Sequence, residues 1–493
     1  MNKTLVSNSL LLSAGRFISR YIGLINTIIV ARLLAPEDYG VIVIAMLVQD
    51  FALKMQNIGF AQNIVSSKET SSSFLSAVYL TRLFVCFVIS LLVFLVAEPF
   101  ALWMNSPEAE SVLKVICWII TINALSNINL VIQAKKNNFM PEIKTTLLSK
   151  FISVAVTMFL AFTIENYWAL AIGMLSSSIA TCVLSYYFAS PTLKLSTTLR
   201  EIKHVLSFSR WFLFQQLVEY FNRKIPHFSL GQYFSVKLLG FYSMASSIGY
   251  MYAQEVSAAF DKANLSHLSK QLREYADNEY MYRKTLFENV SYIIHFKDIL
   301  ICPVYAGLIF FSEPIILLLL GDAWLEMKYL FTLMCISAVF VAYQLSFRVI
   351  FNAIRFPKFH FYTSTISLCI YLPSAYVSIA FDNYLYMAYG VIGSNFLLVT
   401  FSALMMYKHC HVNVINCLIK SVGFLMFFCL LAFLVLWLPI PDMVGVFVYG
   451  ALALLMLLLK KLTFGDQVID DLMLAVLPKL KSLLRIKNKP SNT

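Results

Sequence analysis

The sequence predicts an all-α polytopic membrane protein with about fourteen transmembrane helices, and three observations support that fold class. Of the 493 residues, 59% are hydrophobic and only 13% are charged, whereas about 25% of the residues in a soluble domain are charged. Runs of roughly 20 apolar residues recur along the chain, and each is long enough to cross a hydrocarbon core of about 30 Å. The polar segments between the runs differ in charge, which is typical of loops on two sides of a membrane.

Each predicted helix is an apolar run bounded by polar or turn-forming residues. The predicted helices, numbered 1 to 14 in chain order, span residues 9–32, 40–60, 74–97, 112–134, 141–163, 167–189, 204–230, 237–261, 286–311, 326–352, 358–380, 384–407, 418–438 and 443–461. A cleaved signal peptide is not expected, because Arg16 and Arg20 interrupt the first apolar run.

A polar turn closed by glycine occurs twice, 200 positions apart. Residues 31–40 end in Gly40 and residues 231–240 end in Gly240, and a small residue follows in both copies, Ala45 and Ala245. The two glycines are expected where the chain needs positive φ or a close contact between helices. This repeated turn indicates an internal duplication.

The duplication predicts two six-helix lobes of the same orientation, related by a pseudo-two-fold axis along the membrane normal. The predicted divisions are an N-lobe at 1–203, a C-lobe at 204–407, two further helices at 408–461 and a basic amphipathic cytoplasmic tail at 462–493. Two segments that follow helices 3 and 9 also repeat, and we expect Trp103 and Trp324 to anchor them at the outer interface.

Lysine and arginine crowd the loops on one side of this topology, whereas Lys237 and Lys328 are the cations of the loops on the other side. By the positive-inside rule the cation-rich side is cytoplasmic. Both termini are therefore predicted to be cytoplasmic. The net charge of +12 follows from this placement and does not indicate a nucleic-acid partner.

The first three helices carry charges that are costly in lipid. Arg16 and Arg20 share one stripe of helix 1, while Asp50 and Lys54 lie about one turn apart on helix 2. A charge at the bilayer centre costs roughly 2.5–3.5 kcal/mol on insertion scales, so these side chains are expected to face protein or water. Arg82 on helix 3 can join the same cationic group.

Two interpretations of these cations are open. In the first, Arg20 and Asp50 form a salt bridge, and the remaining basic side chains extend toward lipid headgroups. In the second, Arg16, Lys54 and Arg82 form a receptor for a pyrophosphate, since guanidinium forks and an ammonium group match phosphate oxygens.

Helices 7 and 8 add polar side chains that suit sugars but also join helices to one another in membranes. Together with the cations above, they give the candidate substrate-binding residues Arg16, Arg20, Lys54, Arg82, Gln216, Arg223, Tyr250 and Gln254. The candidates for coupling to an ion gradient are Asp50, Glu219 and Asp261. On helix 9, His295 and Asp298 are three residues apart and could form either a proton relay or a local pair.

Motifs for nucleotide hydrolysis, metalloprotease chemistry and serine hydrolysis do not occur in the sequence. The nine cysteines are scattered singly, most of them in apolar runs, so no disulfide framework or metal pair is expected. We therefore expect no cofactor, no metal and no enzymatic activity. Any work on a substrate must be driven by a gradient or by binding.

Four stretches, at 31–40, 59–68, 239–245 and 303–324, resemble the polysaccharide-transporter (Wzx-type) flippases of the multidrug, oligosaccharidyl-lipid and polysaccharide exporter superfamily. The resemblance covers nearly the whole chain. It implies a two-lobed transporter that moves an undecaprenyl-pyrophosphate-linked sugar repeat unit across the bacterial inner membrane by alternating access.

The resemblance also implies membrane lipids as partners, and a polysaccharide polymerase and a chain-length regulator as further candidates. A multidrug exporter of the same superfamily is the nearest alternative, but it needs an anionic cavity for cationic drugs. A membrane polymerase or ligase acting on the same lipid is the alternative from another class, although such enzymes usually expose a large periplasmic loop.

The predicted topology can be tested with single cysteines. Cysteines at Asn105 and Asn383 are expected to react with an impermeant thiol reagent added outside, and cysteines at Ser71 and Asn278 are not, because the membrane shields them. Mass labelling of cells measures the difference. Labelling in the reverse pattern would contradict the orientation.

Overall fold

The computed structural model describes residues 3–56, 72–136, 138–189, 199–275, 277–356 and 358–464, and these residues form helices joined by short turns, with no strand among them. They pack into two compact units. The first unit runs to Ser243 and includes Leu319–Glu326, and the second contains Met244–Leu318 and the chain from Met327 onward.

The first unit contains nine helices of the described chain and the beginning of a tenth. They are α1 (Lys3–Leu33), α2 (Pro36–Gln56), α3 (Ser72–Trp103), α4 (Glu108–Ile116), α5 (Trp118–Ala124), α6 (Asn129–Lys135), α7 (Met140–Ile164), α8 (Trp168–Phe188), α9 (Leu199–Tyr233) and the start of α10 (Val236–Glu274). Within this unit α7 packs on α8 and α1, and α9 packs on α2 and α3.

The second unit contains the rest of α10 and the helices that follow it. They are α11 (Glu279–Phe310), α12 (Ser312–Leu319), α13 (Lys328–Ala353), α14 (Lys358–Ala380), α15 (Leu385–Cys410), α16 (Ile415–Leu436) and α17 (Asp442–Phe464). The 3₁₀ turn at Asp322–Met327, between α12 and α13, belongs to the first unit except for Met327. In this unit α11 packs on α13 and α16, and α15 packs on α13 and α14.

The all-helical membrane fold is confirmed, and helices occupy every predicted segment. Over the described residues nine helices, or ten if one bent pair counts as a span, are long and apolar enough to cross a membrane. The long helices that do not pass this test are α1, α2, α9 and α10. Because these four helices are not among those that pass the test, the count of fourteen spans stays a prediction. The same four helices carry most of the candidate site residues.

Predicted helix 4 is broken. Its residues form α4, α5 and α6, with a bend of 52° between the α4–α5 pair and α6. Side chains of neighbouring helices satisfy the backbone at the bend: the Tyr186 hydroxyl donates to the Leu125 carbonyl at 2.8 Å, and the Ser185 hydroxyl accepts from the Asn127 amide at 2.8 Å. Non-helical backbone inside a membrane protein requires such partners.

The predicted loop at 262–285 is largely helical. Helix α10 continues to Glu274, well beyond the predicted end at residue 261, and α11 begins at Glu279. Asn278 caps α11, because its side-chain oxygen accepts a hydrogen bond from the Met281 amide at 3.0 Å. The extension is polar, so apolar periodicity could not predict it.

The two glycine-closed turns of the repeat pack directly on each other. A Cβ atom at Gly40 would lie 2.0 Å from the Val236 carbonyl oxygen, and a Cβ atom at Gly240 would lie 2.2 Å from the Pro36 carbonyl oxygen. Pro36 and Val236 are themselves 200 positions apart, so the contact is reciprocal, as across a two-fold axis. Close contact, and not positive φ, is the reason for both glycines, since neither has positive φ.

Trp324 covers this pair of turns. Its side chain is fully buried, its indole N–H donates to the Ala31 carbonyl at 2.7 Å, and its ring contacts Tyr39 and Phe241 edge to face at 5.3 and 6.0 Å. The prediction that Trp324 anchors the chain at the membrane interface is therefore wrong. Trp103 is 45% exposed, as an interfacial residue would be.

The compact units are defined by packing, whereas the predicted lobes at 1–203 and 204–407 were inferred from the repeat, so the lobe boundaries stay a prediction. Helix 14 of the prediction corresponds to α17, which ends at Phe464. The basic tail predicted at 462–493 lies outside the described residues from 465 onward, as does the whole of the 59–68 motif.

Replacing Gly40 with alanine is expected to destabilise the protein, because the new methyl group would overlap the Val236 carbonyl. Overpacking of this kind costs about 1–3 kcal/mol, which a thermal melt of the purified protein measures as a lower Tm. Gly423→Ala is the matched control, since a Cβ there has no neighbour within 4 Å. Equal Tm values for the two variants would contradict the contact.

Candidate functional site

Helices α2 and α9 form an antiparallel pair that positions most of the candidate residues. Residues later in α2 contact residues earlier in α9, as expected for opposite directions. The Tyr220 hydroxyl donates to the Leu47 carbonyl at 2.7 Å, and the Tyr220 ring contacts Phe51 at 5.4 Å. Both contacts bury the aromatic face of α9 against α2 and fix the register of the polar residues on either side.

The first polar contact of this pair joins two predicted residues, Lys54 and Gln216. The Lys54 ammonium donates to the Gln216 side-chain oxygen at 3.0 Å in a partly buried position. Within the described part of the chain, the partner of Lys54 is thus a neutral amide. The hydrogen bond orients the ammonium but leaves its charge uncompensated, which favours an anionic ligand nearby.

The second polar contact joins Asp50 to Lys224. The Lys224 ammonium lies 2.9 Å from the Asp50 carboxylate, about one helical turn along α2 from Lys54. Lys224 was not among the predicted site residues, although it lies about two turns beyond Gln216 on the same side of α9. Arg20, which one interpretation paired with Asp50, has an exposed side chain on α1.

Two further candidates pair within α9. The Arg223 guanidinium lies 2.8 Å from the Glu219 carboxylate, and the Arg223 side chain is 64% exposed. An exposed pair at i,i+4 contributes only about 0.3–0.5 kcal/mol to stability, so Arg223 can leave Glu219 at little cost. Arg16 lies in α1, but its side chain is outside the described part of the structure.

Arg82 belongs to α3, and its side chain reaches the bend in predicted helix 4. Its guanidinium donates to the Asn123 carbonyl at 2.6 Å and to the Ser126 hydroxyl at 3.3 Å. These acceptors are neutral, so Arg82 stabilises the bend and keeps its charge. The signal for this role was not available from the sequence, because the bend itself was not predicted.

Lys150 is a cation that the sequence analysis did not select. It lies in the middle of α7, a helix that is long and apolar enough to span a membrane. Its side chain is half-buried and lies across Gly23 of α1, where a Cβ atom would be 3.3 Å from the ammonium nitrogen. The lysine could have been found as the one basic residue in the interior of predicted helix 5.

In the second unit, Asp261 belongs to a fully buried polar network. The Lys297 ammonium lies 3.3 Å from its carboxylate and also donates to the Ser257 hydroxyl at 2.9 Å and the Ala342 carbonyl at 2.5 Å. The Ser346 hydroxyl donates to the other carboxylate oxygen at 2.9 Å. Every donor of Lys297 is thus used, so the pair is well satisfied despite its burial.

Asp298 and His295 do not share a bond in the described structure. Asp298 accepts from the Tyr343 hydroxyl at 2.5 Å and from the Ser421 hydroxyl at 2.9 Å, whereas the His295 ring lies 3.3 Å from the Lys460 ammonium. The local pair considered from the sequence is therefore replaced by contacts to other helices.

The remaining candidates, Tyr250 and Gln254, lie one turn apart on α10. The Tyr250 hydroxyl donates to the Ser337 hydroxyl at 3.1 Å, and the Ser337 hydroxyl also accepts from the Asn395 side-chain amide at 2.8 Å. This network joins α10, α13 and α15. The side chain of Gln254 is partly buried.

Among the residues that the structure describes, no group of three or more His, Cys, Asp or Glu side chains could hold a metal ion. The polar contacts above are instead hydrogen bonds and ion pairs between neighbouring helices.

Known proteins resemble this chain in sequence and in fold. The succinoglycan biosynthesis transport protein ExoT of Rhizobium meliloti is 20% identical over 60% of this chain and 58% of its own length. The lipopolysaccharide biosynthesis protein WzxC of Escherichia coli is 19% identical over 64% of this chain and 63% of its own length. The matched region therefore spans less than two thirds of either relative.

The fold is similar to that of the lipid II flippase MurJ, solved in an inward closed conformation, with a TM-score of 0.67 and 17% identity over 91% of this chain and 97% of that one. At this identity the likeness shows the fold alone. Residues 29–329, which make up more than half of the chain, match the family described as polysaccharide biosynthesis protein, and the chain belongs to that family.

Proposed function

We propose that this protein is a flippase that moves undecaprenyl-pyrophosphate-linked oligosaccharide repeat units across the bacterial inner membrane by alternating access. The repeat unit would serve O-antigen, capsule or exopolysaccharide assembly. The proposal assigns no catalytic residue and no cofactor, because moving a lipid-linked sugar between leaflets makes and breaks no covalent bond.

The observation that carries the proposal is the state of the cations in the first unit. Lys54 donates to a neutral amide, and Arg82 donates to a carbonyl and a hydroxyl. A structural salt bridge would place a carboxylate at each, as Asp50 does for Lys224. Positive charge that is oriented but not neutralised suits a pyrophosphate, whose oxygens accept charge-assisted hydrogen bonds.

The relatives support the same class of substrate. ExoT is named for transport in succinoglycan biosynthesis, and WzxC is named for lipopolysaccharide biosynthesis. Both names concern sugar polymers. An exporter of cationic drugs would need the opposite charge in its binding site, so the cations of the first unit disfavour that alternative.

Three carboxylates are our candidates for coupling, and each is paired with a basic residue. Asp50 pairs with Lys224, Glu219 with Arg223, and Asp261 with Lys297. Binding of a proton or another cation to a carboxylate would release its basic partner. In the pairs on α9, the released side chain would then be available to a phosphate.

We further propose the inner membrane as the location, with both termini cytoplasmic, because lysine and arginine crowd one side of the predicted topology. In that orientation the lipid-linked unit would be received from the cytoplasmic leaflet. A polysaccharide polymerase and a chain-length regulator would act on the unit after transport, and they are proposed as partners.

The replacement Gln216→Glu tests the proposal. It would place a carboxylate beside Lys54, where the amide oxygen now lies 3.0 Å from the ammonium. If Lys54 holds the pyrophosphate, the internal ion pair competes with the substrate, and we expect at least a tenfold loss of export, since a charge-assisted bond contributes about 1.5–3 kcal/mol. Surface polysaccharide in a strain lacking the native gene measures export.

Two variants serve as controls for this experiment. Gln216→Met removes the hydrogen bond but leaves the charge of Lys54, so it should retain most of the export. Lys54→Met removes the charge and should lose export together with Gln216→Glu. A Gln216→Glu protein that is present in the membrane at the normal level and exports at the unmodified rate would exclude Lys54 from the substrate site.

A further inference from the structure

Helix α7 has three distinct faces. Large apolar side chains, Leu148, Ile152 and Phe159 among them, are 41–67% exposed and lie on one stripe. The small hydroxyl residues Ser149, Ser153 and Thr157 are buried and face α8, where Ser153 donates to the Gly173 carbonyl at 2.9 Å. The first face suits lipid and the second is a helix contact.

Lys150 lies on the third face, which contacts α1. At 100° per residue it points about 160° away from Leu148 and Ile152, so it does not face lipid. Ile143 and Lys150, two turns apart, contact Gly15 and Gly23 of α1: a Cβ atom would lie 3.0 Å from Ile143 at Gly15 and 3.2 Å from the Lys150 side chain at Gly23. The absence of a side chain at Gly23 leaves the space for the lysine.

One polar side chain of α7 and one of α1 lack partners among the residues that the structure describes. Among the described residues, Lys150 has no hydrogen-bond acceptor and no carboxylate within bonding distance. Asn26 of α1, three residues beyond Gly23, is 9% exposed, and its side-chain oxygen has no hydrogen-bond partner in the part of the chain that the structure describes. A cation and an amide left unsatisfied in a membrane span are costly for stability alone.

The position of Lys150 along α7 argues against a role at the membrane surface. Ten residues separate it from Met140, where α7 begins, and this corresponds to about 15 Å of helix. Lys144 lies nearer to the helix start, is exposed, and has its ammonium 5.7 Å from the centre of the Phe188 ring. Lys144 is thus the lysine of α7 placed to reach headgroups.

We propose that Lys150 is a substrate-binding residue that holds a phosphate of the lipid-linked substrate, with Asn26, about one turn along α1 from Gly23, as a hydrogen-bonding group for the same ligand. The inference rests on the proposed function and extends the anion site from α2 and α9 to the contact of α1 with α7. It also explains Gly23, because a larger residue there would block the lysine from crossing α1.

The test measures binding of undecaprenyl pyrophosphate to the purified full-length protein in nanodiscs, with undecaprenol as the uncharged probe. Lys150→Met is expected to weaken pyrophosphate binding about ten- to a hundredfold, as for a lost charge-assisted bond, and to leave undecaprenol binding unchanged. Lys150→Arg, which keeps the charge, is expected to retain binding within a few-fold. Lys144→Met is the matched control on the same helix and should bind as the unmodified protein does.

Thermal stability separates binding from a structural role. Removing a cation that has no partner among the described residues should leave the Tm of Lys150→Met equal to or higher than that of the unmodified protein, whereas a structural lysine would lower it. Unmodified protein that binds both probes equally would overturn the proposed function. Unmodified protein that prefers the pyrophosphate, together with Lys150→Met that binds it equally well, would overturn only the role of Lys150.

Discussion

The contact between the two glycine-closed turns is the constraint on which the first unit depends. The backbone of each turn occupies the space that a side chain at the other glycine would need, with carbonyl oxygens 2.0 and 2.2 Å from the two Cβ positions. Backbones can approach this closely only where neither residue has a side chain. The contact joins the start of α2 to the start of α10, and so places α9, which ends beside it, along α2.

That placement decides which charges meet. Because α2 and α9 run antiparallel in a register fixed by Tyr220, the carboxylate of Asp50 meets Lys224, and the ammonium of Lys54 meets the amide of Gln216. One cation is neutralised and the next is only oriented. Where water is excluded the difference is large, because an uncompensated ion carries most of its desolvation cost until a ligand of opposite charge arrives.

The charged residues of α2 and α9 also bear on how many helices can be counted as membrane spans. Over the described residues, α1, α2, α9 and α10 are the long helices outside the set that is apolar enough to span a membrane, and they carry most of the candidate site residues. Arg82 shows a second use of a basic side chain, since it satisfies backbone and hydroxyl oxygens where predicted helix 4 bends. A guanidinium serves both purposes because it donates several hydrogen bonds and stays charged.

The sequence by itself determined the all-helical membrane fold, the approximate position of most helices and the polar faces of α2 and α9, because apolar runs and helical periodicity are local properties. It also determined that Gly40 and Gly240 occupy equivalent positions in the two copies of the repeated turn. Only the tertiary structure decided which partners the charges have, that Trp324 is buried and that Lys150 crosses α1 at Gly23. These outcomes depend on which helices are neighbours and in what register, and residues far apart in the chain set both.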